Sequence, residues 1–124
     1  MGKVMVVDDA VSDLRLIENI LKSAGHRVVC CDGGLDVEQR VADECPDVLL
    51  LDIVMPDRNG YEILRGLKKD PRTRDTPVVF VSSKNQESDR IWGKRQGATD
   101  YLSKPFSSDE LLAMVRHVIG SAQS

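Results

Sequence analysis

Short apolar runs alternate with segments whose apolar residues recur every three or four positions, and this alternation continues along the whole chain. Residues 3–7 form the first run, which stops at Asp8 and Asp9. Leu14, Ile17, Leu21 and Ala24 then fall at helical spacing, and Gly25 supplies a left-handed stop. Residues 27–31 read as a second strand, followed by the turn Asp32-Gly33-Gly34. The next helix, over 35–44, is the least regular: Val37 and Val41 mark an inner face, Glu38 and Arg40 interrupt it, and Pro46 ends it.

Residues 47–51 form a third strand whose apolar stretch is unbroken, the pattern of a strand covered on both faces, with Asp52 at its C-terminal end. Met55 to Gly60 is a loop, from which Asn59 caps a helix and Glu62 completes the capping-box pattern. A polar connector over 70–77 leads to a fourth strand at 78–81, ending at Ser82-Ser83. A helix over about 86–96 carries Ile91 and Trp92 and closes at Gly97. Tyr101 and Leu102 lie in a short fifth strand before Lys104-Pro105. In the last helix Ser107 and Glu110 repeat the capping box, and Leu111, Leu112, Val115, Val118 and Ile119 trace one apolar stripe. Strands alternating with helices in this way predict an α/β fold, a doubly wound parallel sheet with right-handed crossovers and helices on both faces.

The chain has 124 residues, which suits a single unit over 1–124; only Gly120 to Ser124 follow the last apolar stripe, too few for an output domain. A net charge of -3 offers no basic face for nucleic acid. No apolar run approaches the roughly 20 residues that span a bilayer, and the N-terminus lacks the layout of a signal peptide. Cys30, Cys31 and Cys45 are odd in number and lack C-x-x-C spacing. They read as ordinary small residues in a reducing cytoplasm rather than as a disulfide framework or a zinc site.

The polar residues collect at strand ends. Asp8 and Asp9 follow the first strand, Asp52 the third, Ser82 the fourth and Lys104 the fifth. One carboxylate at a strand end is ordinarily a turn residue or a helix cap, but in open parallel sheets the C-terminal edge is where ligands bind. Three carboxylates brought together repel one another, and hard oxygen donors select Mg²⁺ or a similar cation, Mn²⁺ included. Mg²⁺ uses only one or two carboxylates plus phosphate oxygens, which leaves a carboxylate able to act as nucleophile. A metal, a lysine and a hydroxyl answer the need of phosphoryl transfer for charge stabilisation on the equatorial oxygens.

Four pieces together give the chain a family likeness: Val6-Val7-Asp8-Asp9, Leu51-Asp52-Ile53-Val54-Met55-Pro56 with Gly60, Val81-Ser82-Ser83, and Lys104-Pro105-Phe106. Over essentially its whole length the chain resembles a response-regulator receiver domain of the CheY type. The resemblance implies a flavodoxin-like strand order 2-1-3-4-5. It implies Asp52 as phosphoacceptor, and Asp9, Asp52, the Val54 backbone carbonyl and, partly through water, Asp8 as metal ligands. It implies a cis Lys104-Pro105 bond and a switch in which Ser82 moves toward the phosphoryl group and Tyr101 turns inward. The partners it implies are a sensor histidine kinase or phosphotransfer protein and a downstream motility or relay protein, met by a monomer. Lys84-Asn85-Gln86-Glu87-Ser88-Asp89, Trp92-Gly93-Lys94-Arg95-Gln96-Gly97-Ala98 and Asp100-Tyr101-Leu102 further resemble the pilus and twitching-motility regulators of the PilH and PilG type. Trp92 and Tyr101 are then expected on the partner face, where an aromatic makes an effective anchor.

Some positions depart from the family pattern. Ala10 follows the acidic pair where many relatives carry a polar residue. Glu38 stands where the family buries an apolar side chain, so the second helix is expected to be displaced or to form an interface. Val54 and Lys84, two residues past Asp52 and Ser82, offer no carboxylate or amide to orient a water, and the chain is expected to catalyse only its own phosphorylation and a slow to moderate dephosphorylation. Two other functions compete: a receiver fold that binds partners without phosphate, which loss of the acidic residues or the lysine would favour, and a Mg²⁺-dependent phosphatase, which would place its two aspartates two residues apart rather than adjacent.

Overall fold

A computed structural model describes residues 2–84 and 86–123, so Asn85 of the motif above lies outside the described residues. The elements are β1 (Lys3–Val7), α1 (Val11–Ser23), β2 (Arg27–Cys31), α2 (Val37–Glu44), β3 (Val48–Leu51), α3 (Gly60–Lys69), β4 (Val78–Ser82), α4 (Glu87–Arg95), β5 (Asp100–Ser103) and α5 (Ser108–Gln123). All strand pairs are parallel, and the sheet order is β2-β1-β3-β4-β5, as expected.

The sheet separates two cores because successive strand residues point to opposite faces. Val4, Val6, Val48, Leu50, Val79 and Val81 meet Leu14, Ile17 and Leu21 of α1 and Leu111, Val115 and Val118 of α5. Met5, Val7, Leu49, Leu51, Val78 and Phe80 meet Val37 and Val41 of α2 and Ile63, Leu64 and Leu67 of α3. Helix α4 is held more lightly, for Gly93 is its one buried residue. A side chain there would meet the rings of Phe80 and Tyr101, at 3.1 and 3.3 Å from its Cβ, so the glycine lets the helix rest directly on the sheet.

Several element ends differ from the sequence expectation. Helix α2 starts at Val37 rather than residue 35, because Asp36 is left-handed (φ 61°) and Leu35 is solvent-exposed. It ends through a left-handed Cys45, whose N–H donates to the Val41 carbonyl, before Pro46 is reached. Asp47 stays outside β3 and accepts the Lys3 N–H through its carboxylate at 2.7 Å. Strand β4 extends to Ser82 and β5 covers Asp100–Ser103, since both continue the ladder to Ser82↔Ser103. Helix α5 continues past its apolar stripe to Gln123, so residues 120–123 belong to the helix. Its start is the reciprocal capping box of Ser107 and Glu110, at 2.9 and 3.1 Å.

Glu38 has an internal explanation. Its carboxylate takes both guanidinium nitrogens of Arg58 at 2.6 and 2.7 Å, and it lies over Gly66, where a Cβ would come within 2.5 Å of it. The guanidinium holds the Glu38 carboxyl below the usual range. Beside this pair, the Asp57 carboxylate accepts the Gly34 N–H at 2.9 Å. The two contacts tie the β2–α2 segment to the β3–α3 loop. Bidentate geometry puts such a partly exposed pair near the upper end of surface ion pairs. A double-mutant cycle of Glu38→Ala and Arg58→Ala in urea denaturation should therefore give a coupling of about 1 kcal/mol; simple additivity would remove this tie from the account.

Candidate functional site

The strand order sets β1 and β3 side by side at the centre of the sheet, with their ends in register at Val7↔Leu51. Asp8 and Asp52 are therefore neighbours, and the Asp52 N–H donates to the Val7 carbonyl at 3.0 Å. Oxygens of Asp8, Asp9 and Asp52 lie within 4.8 Å of one another. Asp8 is 1% exposed and Asp52 8%, whereas Asp9 is open to solvent. Asp8 Oδ1 accepts the Ala10 N–H at 2.9 Å, and Asp52 Oδ1 accepts the Ile53 N–H at 2.8 Å.

The loop after Asp52 closes through Gly60, whose N–H donates to the Ile53 carbonyl at 2.7 Å. A Cβ at Gly60 would lie 2.5 Å from the Asp52 carbonyl oxygen, so no other residue fits there without moving the backbone that carries Asp52. Val54 projects from this loop, and its side chain is exposed.

Lys104 reaches the carboxylates from β5. Its N–H donates to the Ser82 carbonyl at 2.8 Å, and the Lys104-Pro105 bond is cis. Its Nζ is 2.7 Å from Asp8 Oδ2 and 3.9 Å from Asp52 Oδ2. It also meets a residue that sequence reasoning missed, Asp13 of α1, at 2.9 Å. In sequence Asp13 is only an acidic residue in a first helical turn, an ordinary response to the helix dipole; its contact with Lys104 depends on how α1 crosses the sheet edge. Burial works to lower the Lys104 ammonium, but bonds to Asp8 and Asp13 and the charge of Asp52 outweigh it and hold Lys104 above its ordinary value. Burial, with the charges of Asp8 and Asp9, pushes the Asp52 carboxyl up to about 6, against the opposing pull of Lys104.

The other predicted site residues lie on β4, α4 and β5. Ser82 is fully buried at the end of β4, and its Oγ accepts the Lys84 N–H at 3.2 Å. Tyr101 is 3% exposed: it lies inward, edge-on to Phe80, and its hydroxyl donates to the Lys84 carbonyl. Trp92 is 50% exposed, with one edge against Tyr61. Arg90 sits 6.0 Å over the Tyr101 ring and donates to Ser103 Oγ at 2.7 Å. Cys30 and Cys31 are half-buried thiols, both pushed up by burial, with Glu18 adding to the effect at Cys30. This is the opposite of a reactive cysteine.

The profile of the response regulator receiver domain matches residues 4–116. The chain belongs to the response regulator receiver family. It is 41% identical over 119 residues to protein PilH of Pseudomonas aeruginosa, an alignment that covers 96% of this chain and 98% of PilH. The receiver domain of a Francisella response regulator superposes with a TM-score of 0.90 at 29% identity, covering 98% of both chains. The chemotaxis response regulator CheY4 of Vibrio cholerae does so with a TM-score of 0.87 at 28% identity, covering 95% of this chain and 98% of its own. Receiver domains bind Mg²⁺ at an acidic cluster of this kind, and the donor set here fits: three carboxylates in reach of one another, all hard oxygen, with Lys104 beside them. Among the described residues, no helix is long and apolar enough to cross a membrane.

The raised Asp52 carboxyl makes a stability prediction. Its folded value of about 6 exceeds its ordinary 3.8, so the folded state binds the proton more tightly. Without metal, the contribution of Asp52 to stability then falls as pH rises from about 4 to about 6, and its full cost persists above that. Asp52→Asn removes the buried charge. In EDTA near pH 7.5 it should be more stable than wild type by about 3 kcal/mol, with the gap closing near pH 4. Chemical denaturation at the two pH values checks this; equal stability near pH 7.5 would contradict it.

Proposed function

We propose that this receiver domain accepts a phosphoryl group on Asp52 from the phosphohistidine of a sensor kinase or phosphotransfer protein, and that it acts in control of pilus-driven motility from the cytoplasm. The observation that carries the first part is the convergence of Asp8, Asp9 and Asp52 with Lys104 at the C-terminal edge of the sheet. The motility role rests on the extent of the likeness to PilH.

Asp8, Asp9, Asp52 and the Val54 carbonyl would hold a Mg²⁺ or Mn²⁺ ion, which when bound supplies charge neutralisation to the carboxylates and the incoming phosphoryl group. Asp52 attacks phosphorus with a carboxylate oxygen. The O–P bond forms as the P–N bond to the donor imidazole breaks, and the imidazole nitrogen keeps that electron pair. Lys104 turns its ammonium to one phosphoryl oxygen, and the Ser82 hydroxyl donates to another. Ser82 and Tyr101 converge on Lys84, one at its N–H and one at its carbonyl. A shift of Ser82 is thus felt at the inward Tyr101 ring and under α4, and the surface formed by α4, β5 and α5 with Trp92 carries the signal to a partner. A phosphate-independent binding module would have no use for three clustered carboxylates.

Two outcomes test this reading. Radiolabelled acetyl phosphate with Mg²⁺ should label the wild type but not Asp52→Asn, and a labelled variant would refute the acceptor. The phosphorylated protein should persist for minutes or longer in Mg²⁺, because Val54 and Lys84 provide no group to position the hydrolytic water; loss within seconds would contradict that. The motility assignment is read by capture of pilus-regulatory proteins with and without fluoroberyllate, a phosphoryl mimic.

A further inference from the structure

Lys104 makes its bonds away from Asp52. Its Nζ is within hydrogen-bond distance of Asp8 at 2.7 Å and Asp13 at 2.9 Å, but stands 3.9 Å from Asp52. Hydrogen bonds weaken past about 3.2 Å, so the last contact is electrostatic attraction without a bond. Both ends of the Lys104–Asp13 bridge are fixed by secondary structure. Asp13 belongs to the first turn of α1, and the Lys104 backbone is tied to Ser82 at the end of β4.

The two carboxylates that hold Lys104 differ in what it costs to release them. Asp8 is 2% exposed in its side chain, and taking its ammonium away would leave a charge buried without compensation. The side chain of Asp13 is 42% exposed, so water can replace the lysine there. An ammonium has three donors on a flexible stem and can swing by an ångström or more without moving the backbone.

We propose that Asp13 is a positioning residue that competes with the phosphoryl group for Lys104: it retains the ammonium in the unphosphorylated protein and is the partner given up when that ammonium is drawn onto Asp52. Asp13 thereby sets how strongly the phosphorylated arrangement is favoured. A contact made in one state alone weights the equilibrium toward that state by its own strength. This inference rests on Asp52 being the acceptor.

The test is calorimetric titration of fluoroberyllate in Mg²⁺ into wild type, Asp13→Ala, Asp13→Glu, Lys104→Ala and the Asp13→Ala/Lys104→Ala pair, each checked for folding by thermal melting. Asp13→Ala should bind about 3- to 5-fold tighter than wild type, the size of effect a partly exposed ion pair supports. Asp13→Glu should return toward the wild-type value. In the Lys104→Ala background, Asp13→Ala should change nothing. An unchanged or weaker affinity for Asp13→Ala overturns the proposal. So does a gain that survives without Lys104, since that would be plain repulsion between Asp13 and the anion. Asp52→Asn separates the two levels: if it binds fluoroberyllate like wild type, the acceptor reading itself fails.

Discussion

Carboxylates gathered at the edge of an apolar sheet, with one ammonium among them, set the terms for this molecule. The side chains of Asp8 and Asp52 are almost entirely withdrawn from water, Asp9 and Asp13 stand beside them, and Lys104 is the cation that reaches the group. Burial makes each charge expensive, and proximity makes them expensive together. One lysine cannot neutralise all of them. The site is therefore held short of positive charge, and a hard cation would relieve that shortage.

This tension is sustained because the backbone around it is over-determined. Asp52 is fixed by the ladder with β1, by its own bond to the Ile53 N–H, and by Gly60, whose lack of a side chain lets the following helix start against the Asp52 carbonyl. The β3–α3 loop is anchored from the other side by Asp57 at Gly34 and Arg58 at Glu38. By contrast, α4 buries only Gly93, and its flank is joined to the site through Lys84, which is bonded at its N–H by Ser82 and at its carbonyl by Tyr101. A rigid charged centre beside a lightly held helix is an arrangement in which a local change of charge can be read at the surface. Differential contacts of a few kcal/mol suffice for a large shift in population.

Much of this was legible in the sequence because the deciding physics is local. Apolar runs and helical spacing specified five strands and five helices, and the positions of Asp8, Asp9, Asp52, Ser82 and Lys104 at strand ends followed from those runs. A parallel sheet requires crossovers, and crossovers bring all the C-terminal ends to one edge, so the clustering of these residues followed from topology alone. The element ends were less legible. Asp36 and Cys45 adopt left-handed conformations that no glycine announced, and the extra residues of β4 and β5 depend on a partner strand to pair with.

The tertiary structure alone decided which charges meet across the fold. Glu38 looked like an irregularity in an apolar face until Arg58 was found opposite it, 20 residues away. Asp13 looked like a helix-end acid until Lys104 was found opposite it, 91 residues away. Tyr101 lies buried, with Gly93 of α4 so close above its ring that a side chain there would meet it. Sequence patterns record which residues face inward and where strands end, since backbone periodicity fixes those choices locally. The pairing of side chains from distant segments depends on how the helices cross the sheet, and that became determinate only once both faces were packed.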